Sequence, residues 1–285
     1  MSAAVGAARR RFATGAAEAR KLPAFLRRDL LVMISYRVAF VTDVVFIAVQ
    51  AVLFYFLAQI VDPGLLPTYG GTQATYMEFV MIGVVISTVS GLLLQRVATA
   101  IRQEQMIGTL EALLMTPTSP AAIQAGSISF DLLFIPVRMG ALLGVVALAF
   151  GLEFQAEGIL PALLVFGAFV PFVWGLGLVG AAATLTFRRG DGLAAAGMSL
   201  LALLSGAFFP IALFPEWLQA LAEINPLAIS IEAIREALIG GAGWGALRPE
   251  LLLIIPLSSL ALLLGVVAFR AGLAREHRRG TLGLY

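Results

Sequence analysis

The chain has 285 residues, of which 60% are hydrophobic and 13% are charged, and its mean hydropathy is +0.96. A soluble domain carries roughly a quarter charged residues, so this composition excludes a water-soluble protein. With no cysteine and a single histidine, His277, disulfides, thiolate metal sites and an intramembrane Ser-His-Asp triad are excluded as well, and we expect neither a catalytic residue nor a metal ligand.

Residues 1–37 are predicted to form a cytoplasmic segment that ends in an amphipathic helix. At 100° per residue the apolar side chains between Arg20 and Arg37 share one arc and the basic ones lie opposite. The apolar arc contains Leu22, Phe25, Leu26, Leu30, Met33 and Ile34. This pattern predicts a helix on the membrane surface, and Asp29 on the apolar arc indicates that it also touches protein. Its role is either a plain anchor or an elbow that transmits motion.

Six apolar stretches reach or approach the ~20 residues that a membrane-spanning helix needs. They occupy residues 38–60, 77–94, 123–150, 159–187, 193–213 and 251–269. We therefore expect an all-α integral membrane protein with six transmembrane helices, an N-terminal interfacial amphipathic helix and re-entrant outer helices between spans five and six. A single domain would cover residues 1–285, with the six-span bundle over 38–270 and a cytoplasmic tail over 271–285.

The basic residues predict the orientation. Lysine and arginine cluster before the first span and after the second, fourth and sixth spans, and such clusters stay on the cytoplasmic side. Both termini should therefore be cytoplasmic, in a multi-pass protein of the cell (inner) membrane. This bias accounts for the pI near 9.3, so no nucleic-acid partner is required.

The cytoplasmic loop after the second span is predicted to contain two short helices. Residues 98–107 form the first, Gly108 permits a sharp turn, residues 109–115 form the second, and Pro117 ends it. The loop is either a solvated connector or a docking surface for a soluble partner.

The segment from Phe208 to Gly245 is too broken to span the membrane and too apolar to lie in water. Short helices that dip into the outer leaflet and return satisfy both conditions when their backbone breaks are buried against protein. Trp217 and Trp244 would then lie at the headgroup level. The alternative is a simple hydrophobic plug.

Few ionisable residues fall within the spans: Asp43, Glu78, Asp131 and Arg138. Because a charge inside the membrane is costly, these groups should face protein or water, and contacts between helices are favoured over an ion relay. The small residues at 175–181 and 194–197 permit close helix packing, either within a subunit or between subunits. The single lysine, Lys21, is not part of a P-loop, so the chain does not split ATP in that way.

Several motifs, in order and in place between six spans, make the whole chain resemble the membrane subunit of ABC-2 type exporters, which move drugs, polysaccharides and lipids. The motifs are Gly108-Thr109-Leu110-Glu111, Thr116-Pro117, Gly206 to Pro210, Pro215-Glu216-Trp217, Asn225-Pro226, Glu232 to Arg235 and the tail from Arg279 to Tyr285.

The resemblance implies a homodimer, or a pair with a related permease, surrounded by membrane lipids and seated on separate nucleotide-binding ATPase subunits. ATP and Mg would be held by that ATPase, and no cofactor by this chain. Contact with the ATPase falls to Arg102, Glu104, Gly108, Thr109 and Glu111. The re-entrant outer cap would be shaped by Pro210, Pro215, Asn225, Pro226 and Arg235. Cargo would pass between the two copies along spans one, two and five.

The cargo is expected to be hydrophobic or amphipathic, like a drug or a lipid, because the chain has only three tryptophans and five tyrosines to stack on sugars. Candidate cargo-facing residues are Phe46, Phe54 and Tyr55. A polysaccharide or lipid-linked glycan exporter of the same family is the alternative. An ion-coupled secondary carrier or channel, and a membrane enzyme or scaffold, are the readings from other classes.

Overall fold

The computed structural model describes residues 22–35, 37–107, 120–187 and 190–279. Within these ranges nine α-helices, α1 to α9, account for most of the chain. In order they cover Leu22–Ser35, Arg37–Ala58, Tyr76–Ile107, Pro120–Phe150, Ile159–Phe187, Gly190–Leu203, Glu216–Glu223, Pro226–Leu238 and Arg248–Arg279. Short 3₁₀ helices occur at Pro63–Leu65, Ala156–Gly158 and Ile211–Leu213. A small antiparallel hairpin pairs β1 (Thr68–Tyr69) with β2 (Thr72–Gln73).

Helix α3 lies at the centre of the bundle. Within an 18-residue segment of its apolar stretch Tyr76–Ala100, 72% of the residues are buried inside the subunit, against 17% of the corresponding segment of Arg248–Gly272 in α9. Helix α3 packs against α2, α4, α5, α6 and α8, whereas α9 packs mainly along α5. A displacement of α3 would therefore alter its packing against five other helices.

Four helical stretches in the described ranges are long and apolar enough to cross a membrane. They are Tyr76–Ala100, Ile128–Phe150, Ala156–Thr184 and Arg248–Gly272, and they overlap predicted spans two, three, four and six. The apolar stretch Val45–Ala58 of α2 is shorter. Helix α6 has 14 residues and rises about 21 Å, less than the ~30 Å of a hydrocarbon core. The chain is a multi-pass membrane protein.

The predicted fifth span, 193–213, was too long, because α6 ends at Leu203. Two features of the chain end the helix. Gly206 has a left-handed backbone, with φ of +67°, which a helix does not continue through. Pro210 follows and begins a separate 3₁₀ helix.

The predicted separate helix at 98–107 was also wrong. These residues continue α3 without a break, since the segment contains no glycine or proline that would interrupt it. Gly108 and the second predicted helix, 109–115, lie outside the described residues.

The predicted amphipathic helix is present as α1, and it touches protein as its apolar arc indicated. Phe25 is 9% exposed and packs on Gly126 of α4. A Cβ added at Gly126 would lie 2.6 Å from the Phe25 ring, so only glycine permits this contact unchanged. Leu30 and Leu31 remain exposed, as expected of a surface that meets lipid.

Small residues bring α5 and α9 together within the subunit. A Cβ at Gly265 would lie 2.7 Å from the Cα atom of Gly175, so the two backbones are in direct contact. The small residues of α6 differ, because Ala195 and Gly197 are exposed. Of the two alternatives for the small residues of the fourth span, packing within a subunit or between subunits, the contact of Gly175 with Gly265 supports packing within the subunit.

Candidate functional site

Residues 204–240, which we call the cap, form the first part of the site, and Asn225 joins the cap to α6. Its side-chain Oδ1 accepts a hydrogen bond from the Leu227 N–H at 3.0 Å, which caps α8, and Pro226 occupies the first helical position. The Asn225 Nδ2 group donates to the Leu201 carbonyl oxygen at 2.8 Å, near the end of α6. One side chain thus satisfies backbone groups at two helix ends.

Pro210 and Pro215 of the cap each precede a short helix. The carbonyl oxygen of Pro210 accepts a hydrogen bond from Leu213 N–H at 3.0 Å, and that of Pro215 accepts from Leu218 N–H at 2.8 Å. Helix α7 follows Pro215 and leaves Trp217 67% exposed. The short helices predicted for this segment are present, as α7 and α8.

Arg235 is the centre of the cap and is 1% exposed. Its Nε donates to the Phe79 carbonyl oxygen of α3 at 3.0 Å, and its guanidinium carbon lies 3.5 Å from the centroid of the Phe79 ring. Its Nη2 donates to the carbonyl oxygens of Gly206 and Ala207 at 3.0 and 3.2 Å, and Nη1 pairs with the Glu232 carboxylate at 3.1 Å. A buried guanidinium with all three nitrogens bonded fixes α8, α3 and the end of α6 relative to one another.

A second layer of hydrogen bonds ties the hairpin to α8. The Tyr69 hydroxyl donates to Glu232 Oε1 at 2.9 Å, and the Gly70 N–H donates to Glu236 Oε1 at 3.2 Å. Burial raises the pKa of Tyr69 well above its ordinary value of 10.0, so this hydroxyl remains a donor at neutral pH. Glu232 therefore connects Tyr69 to Arg235, and the loop between α2 and α3 belongs to the same rigid unit as the cap.

Below the cap, a cleft of about 320 Å³ opens between α3 and α6. Helix α3 contributes Ser87, Gly91, Leu94, Gln95, Ala98 and Thr99. Helix α6 contributes Ala195, Met198, Ser199 and Ala202. None of these lining residues is charged or aromatic, so they present hydroxyl, amide, aliphatic and thioether groups. Its volume falls within the ~300–1,000 Å³ of ligand sites.

Farther along α3, Arg96 forms an ion pair with Asp131 of α4, with Nε and Oδ2 2.9 Å apart. Arg96 Nη1 also donates to Gln103 Oε1, and Gln103 Nε2 donates to Thr99 Oγ1 at 3.3 Å. The sequence predicted that ionisable residues within the spans, Asp131 among them, would make contacts between helices. The structure assigns Asp131 a partner on a different helix.

The predicted site residues fall into three groups. The cap residues Pro210, Pro215, Asn225, Pro226 and Arg235 all lie within residues 204–240, where the prolines begin helices and Asn225 and Arg235 form the hydrogen bonds described above. Of the cargo-facing candidates, Phe46 and Tyr55 are 54% and 45% exposed, whereas Phe54 is 8% exposed and stacks on Phe208. Of the ATPase-contact residues, Arg102 and Glu104 lie on the last turns of α3, and Gly108, Thr109 and Glu111 are outside the described residues.

Sequence reasoning missed the polar wall of the cleft. Ser87, Gly91, Gln95 and Thr99 are spaced four residues apart, which places them on one face of a helix. A row of polar and small residues in an otherwise apolar helix was the signal that could have revealed it. No sequence pattern could have revealed the hydrogen bond between Tyr69 and Glu232, because the two residues are 163 positions apart in the chain.

Comparison with known proteins gives one positive finding. A family model described as ABC-2 type transporter matches residues 20–239, which include α1 to α8. No curated protein matches the chain.

Proposed function

The chain belongs to the ABC-2 type transporter family, and we propose that it forms the cargo pathway of an ATP-driven exporter as a homodimer in the cell membrane. Each copy would rest on a separate ATPase that binds ATP and Mg²⁺. The cargo would be hydrophobic or amphipathic.

The observation that carries this proposal is the continuity of α3. This helix of 32 residues is about 48 Å long, whereas a hydrocarbon core is ~30 Å thick. It meets the cap at Phe79, lines the cleft from Ser87 to Thr99, and carries Arg102 and Glu104, the first two residues expected to contact the ATPase, on its last turns before Ile107. A displacement of residues 102–111 by the ATPase would therefore be transmitted along α3 to the cleft wall and the cap.

Six crossings with both termini cytoplasmic fit this arrangement. Helix α2 has 22 residues, about 33 Å, which is enough to span. Helix α6 is short, but the cap continues from its end through Gly206 and the 3₁₀ helix at Ile211–Leu213. We propose that α6 and the cap together complete the fifth crossing, with α7 and α8 re-entering from the outer side.

The cleft supports an export path along spans two and five. It lies between α3 and α6, which are those spans, and it opens to the outside of the single subunit. In a dimer, this opening would face the space between the copies. Phe46 and Tyr55 of α2 remain candidates for the same path, and membrane lipid is the alternative neighbour of both.

Two other readings are less well supported. A polysaccharide path would be expected to offer stacking aromatic rings, and the residues lining the cleft include none. An ion-coupled carrier would need a carboxylate within the spans that is available to bind the ion. Of those whose side chains the structure describes, Asp131 is paired with Arg96, and Glu78 accepts hydrogen bonds from Thr75. These facts favour an amphipathic cargo and a separate ATPase.

Efflux of the neutral dye Nile red from cells that express the chain with its ATPase would test the coupling. Glu104→Ala and Gly108→Val should abolish ATP-dependent efflux while the amount of protein in the membrane stays constant. Gly192→Val is the matched control, because a Cβ at Gly192 meets nothing within 4 Å. Unchanged efflux in both loop variants would contradict the proposed coupling.

A further inference from the structure

The cleft between α3 and α6 has a chemistry that bears on the class of cargo. Its polar groups are the hydroxyls of Ser87, Thr99 and Ser199 and the amide of Gln95, and its apolar surface includes Leu94 and Met198. A site of this kind suits a ligand with a hydrogen-bonding end and an aliphatic remainder. The flexible thioether of Met198 can adapt to chains of different shape.

Among the residues that line the cleft, Ser87 has a buried polar atom with incomplete hydrogen bonding. Its Oγ atom is buried and has no hydrogen-bond partner. A serine or threonine within a helix commonly donates to the carbonyl four residues earlier, as Thr99 does to the Gln95 carbonyl oxygen at 2.8 Å. Ser87 leaves that option unused and belongs to the cleft lining, so a turn of its side chain toward the cleft would let a bound group that accepts or donates a hydrogen bond satisfy it.

None of the cleft-lining residues that the structure describes is charged, and Arg96, the cation next to them in the sequence, is already engaged. Arg96 follows Gln95 directly, but its guanidinium pairs with Asp131 of α4 and with Gln103. An anionic or cationic head group that entered the cleft would lose its hydration without gaining a counter-ion. The cleft therefore disfavours charged head groups of both signs.

We propose that this cleft selects amphipaths with an uncharged polar end, such as a hydroxyl, ester or amide, and that Ser87 is a specificity-determining residue that hydrogen-bonds this end. This inference rests on the proposed function, because a bound amphipath is cargo only if the chain forms the export pathway. The observations that carry it are the unpartnered Ser87 Oγ and the uncharged lining.

Photolabelling of the full-length chain in lipid nanodiscs tests the proposal. Three diazirine probes share one alkyl chain and differ only in the head group: a monoacylglycerol, a fatty acid and an alkylamine. The monoacylglycerol should label peptides from α3 and α6 about fivefold more than the two charged probes, as expected from the loss of at least one uncompensated interaction.

Ser87→Ala should lower labelling by the monoacylglycerol several-fold, while Ser90→Ala should leave it unchanged. Ser90 is a matched control, because its Oγ is also buried without a hydrogen-bond partner and it lies on α3, but it does not line the cleft. Ser199→Asp should raise labelling by the alkylamine. This gain keeps the proposal testable if Ser87→Ala proves poorly folded.

Equal labelling by the three probes, labelling confined to other segments, or equal effects of the Ser87 and Ser90 variants would overturn the proposal. The experiment contains neither ATP nor an ATPase. Its failure would therefore leave the exporter role standing, and loss of the exporter role would not change the labelling.

Discussion

Arg235 of α8 and Phe79 of α3 are joined twice: the arginine Nε donates to the Phe79 carbonyl oxygen at 3.0 Å, and its guanidinium lies over the Phe79 ring. Because the same guanidinium also holds the carbonyl oxygens of Gly206 and Ala207, the cap cannot move away from α3 without breaking these contacts. The cap and the central helix should therefore move together.

Replacing Arg235 with alanine should lower the free energy of unfolding by about 3 kcal/mol, because it leaves Glu232 without its cation and two buried carbonyl groups without donors. Thermal unfolding in detergent micelles measures this loss. Arg248→Ala is the control, since Arg248 is exposed. Equal melting temperatures for the two variants would show that the cap does not depend on Arg235.

Glycine is required at position 83 by the close approach of α3 to the cap. A Cβ there would lie 2.7 Å from the Cα atom of Ala207, whereas a Cβ at Gly91 on the same helix meets nothing within 4 Å. Gly83→Ala should therefore destabilise the protein by about 1–3 kcal/mol, and Gly91→Ala should be neutral or stabilising. Melting temperatures of the two variants provide the check, and a neutral Gly83→Ala would refute the contact.

Tyr69 should make stability sensitive to alkaline pH. Burial raises its pKa in the folded state, so the folded state holds this proton more tightly than the unfolded state, whose value is near 10.0. The associated stability is fully present below pH 10 and is lost as the pH rises above it.

Tyr69→Phe should therefore unfold more easily than wild type at pH 8, by about 1 kcal/mol for the lost hydrogen bond to Glu232. Its stability should fall less than that of wild type between pH 8 and pH 11. Chemical denaturation at both pH values measures the difference. Parallel losses in the two proteins would mean that Tyr69 does not titrate as described.

The ion pair between Arg96 and Asp131 should behave as an exchangeable pair. Arg96→Asp and Asp131→Arg should each destabilise the chain, and the double variant should recover part of the loss, with a coupling energy of about 1 kcal/mol because both groups are partly exposed. The combination of Asp131→Arg with Arg138→Asp should not recover it. Recovery by that second combination alone would assign Asp131 to Arg138 instead.

The sequence was most informative where a signal is local. Runs of apolar residues located most of the long helices, and the periodicity between Arg20 and Arg37 predicted α1. The end of α6 was misplaced because residues 204–213 are as apolar as a span. Hydropathy does not register the left-handed backbone of Gly206 that turns the chain.

The contacts of the site depend on tertiary structure and could not be read from spacing. Arg235 bonds mainly to backbone carbonyls, whose positions no side-chain pattern reveals. A contact between helices was predicted for Asp131, but its partner, Arg96 on α3, was not identified, because the two are 35 residues apart in the chain. Only the cleft wall, with its four-residue spacing from Ser87 to Thr99, was present in the sequence as a local pattern.

The proposed function requires that this chain works with a separate ATPase. Purification of the tagged full-length chain from its native membranes in a mild detergent shows whether such an ATPase is bound. We predict that a P-loop ATPase accompanies the chain at a near one-to-one ratio and that ATP hydrolysis copurifies with it. Reproducible absence of such an ATPase, from a preparation in which a cooperative melting transition shows that the chain is folded, would contradict the role as an exporter subunit.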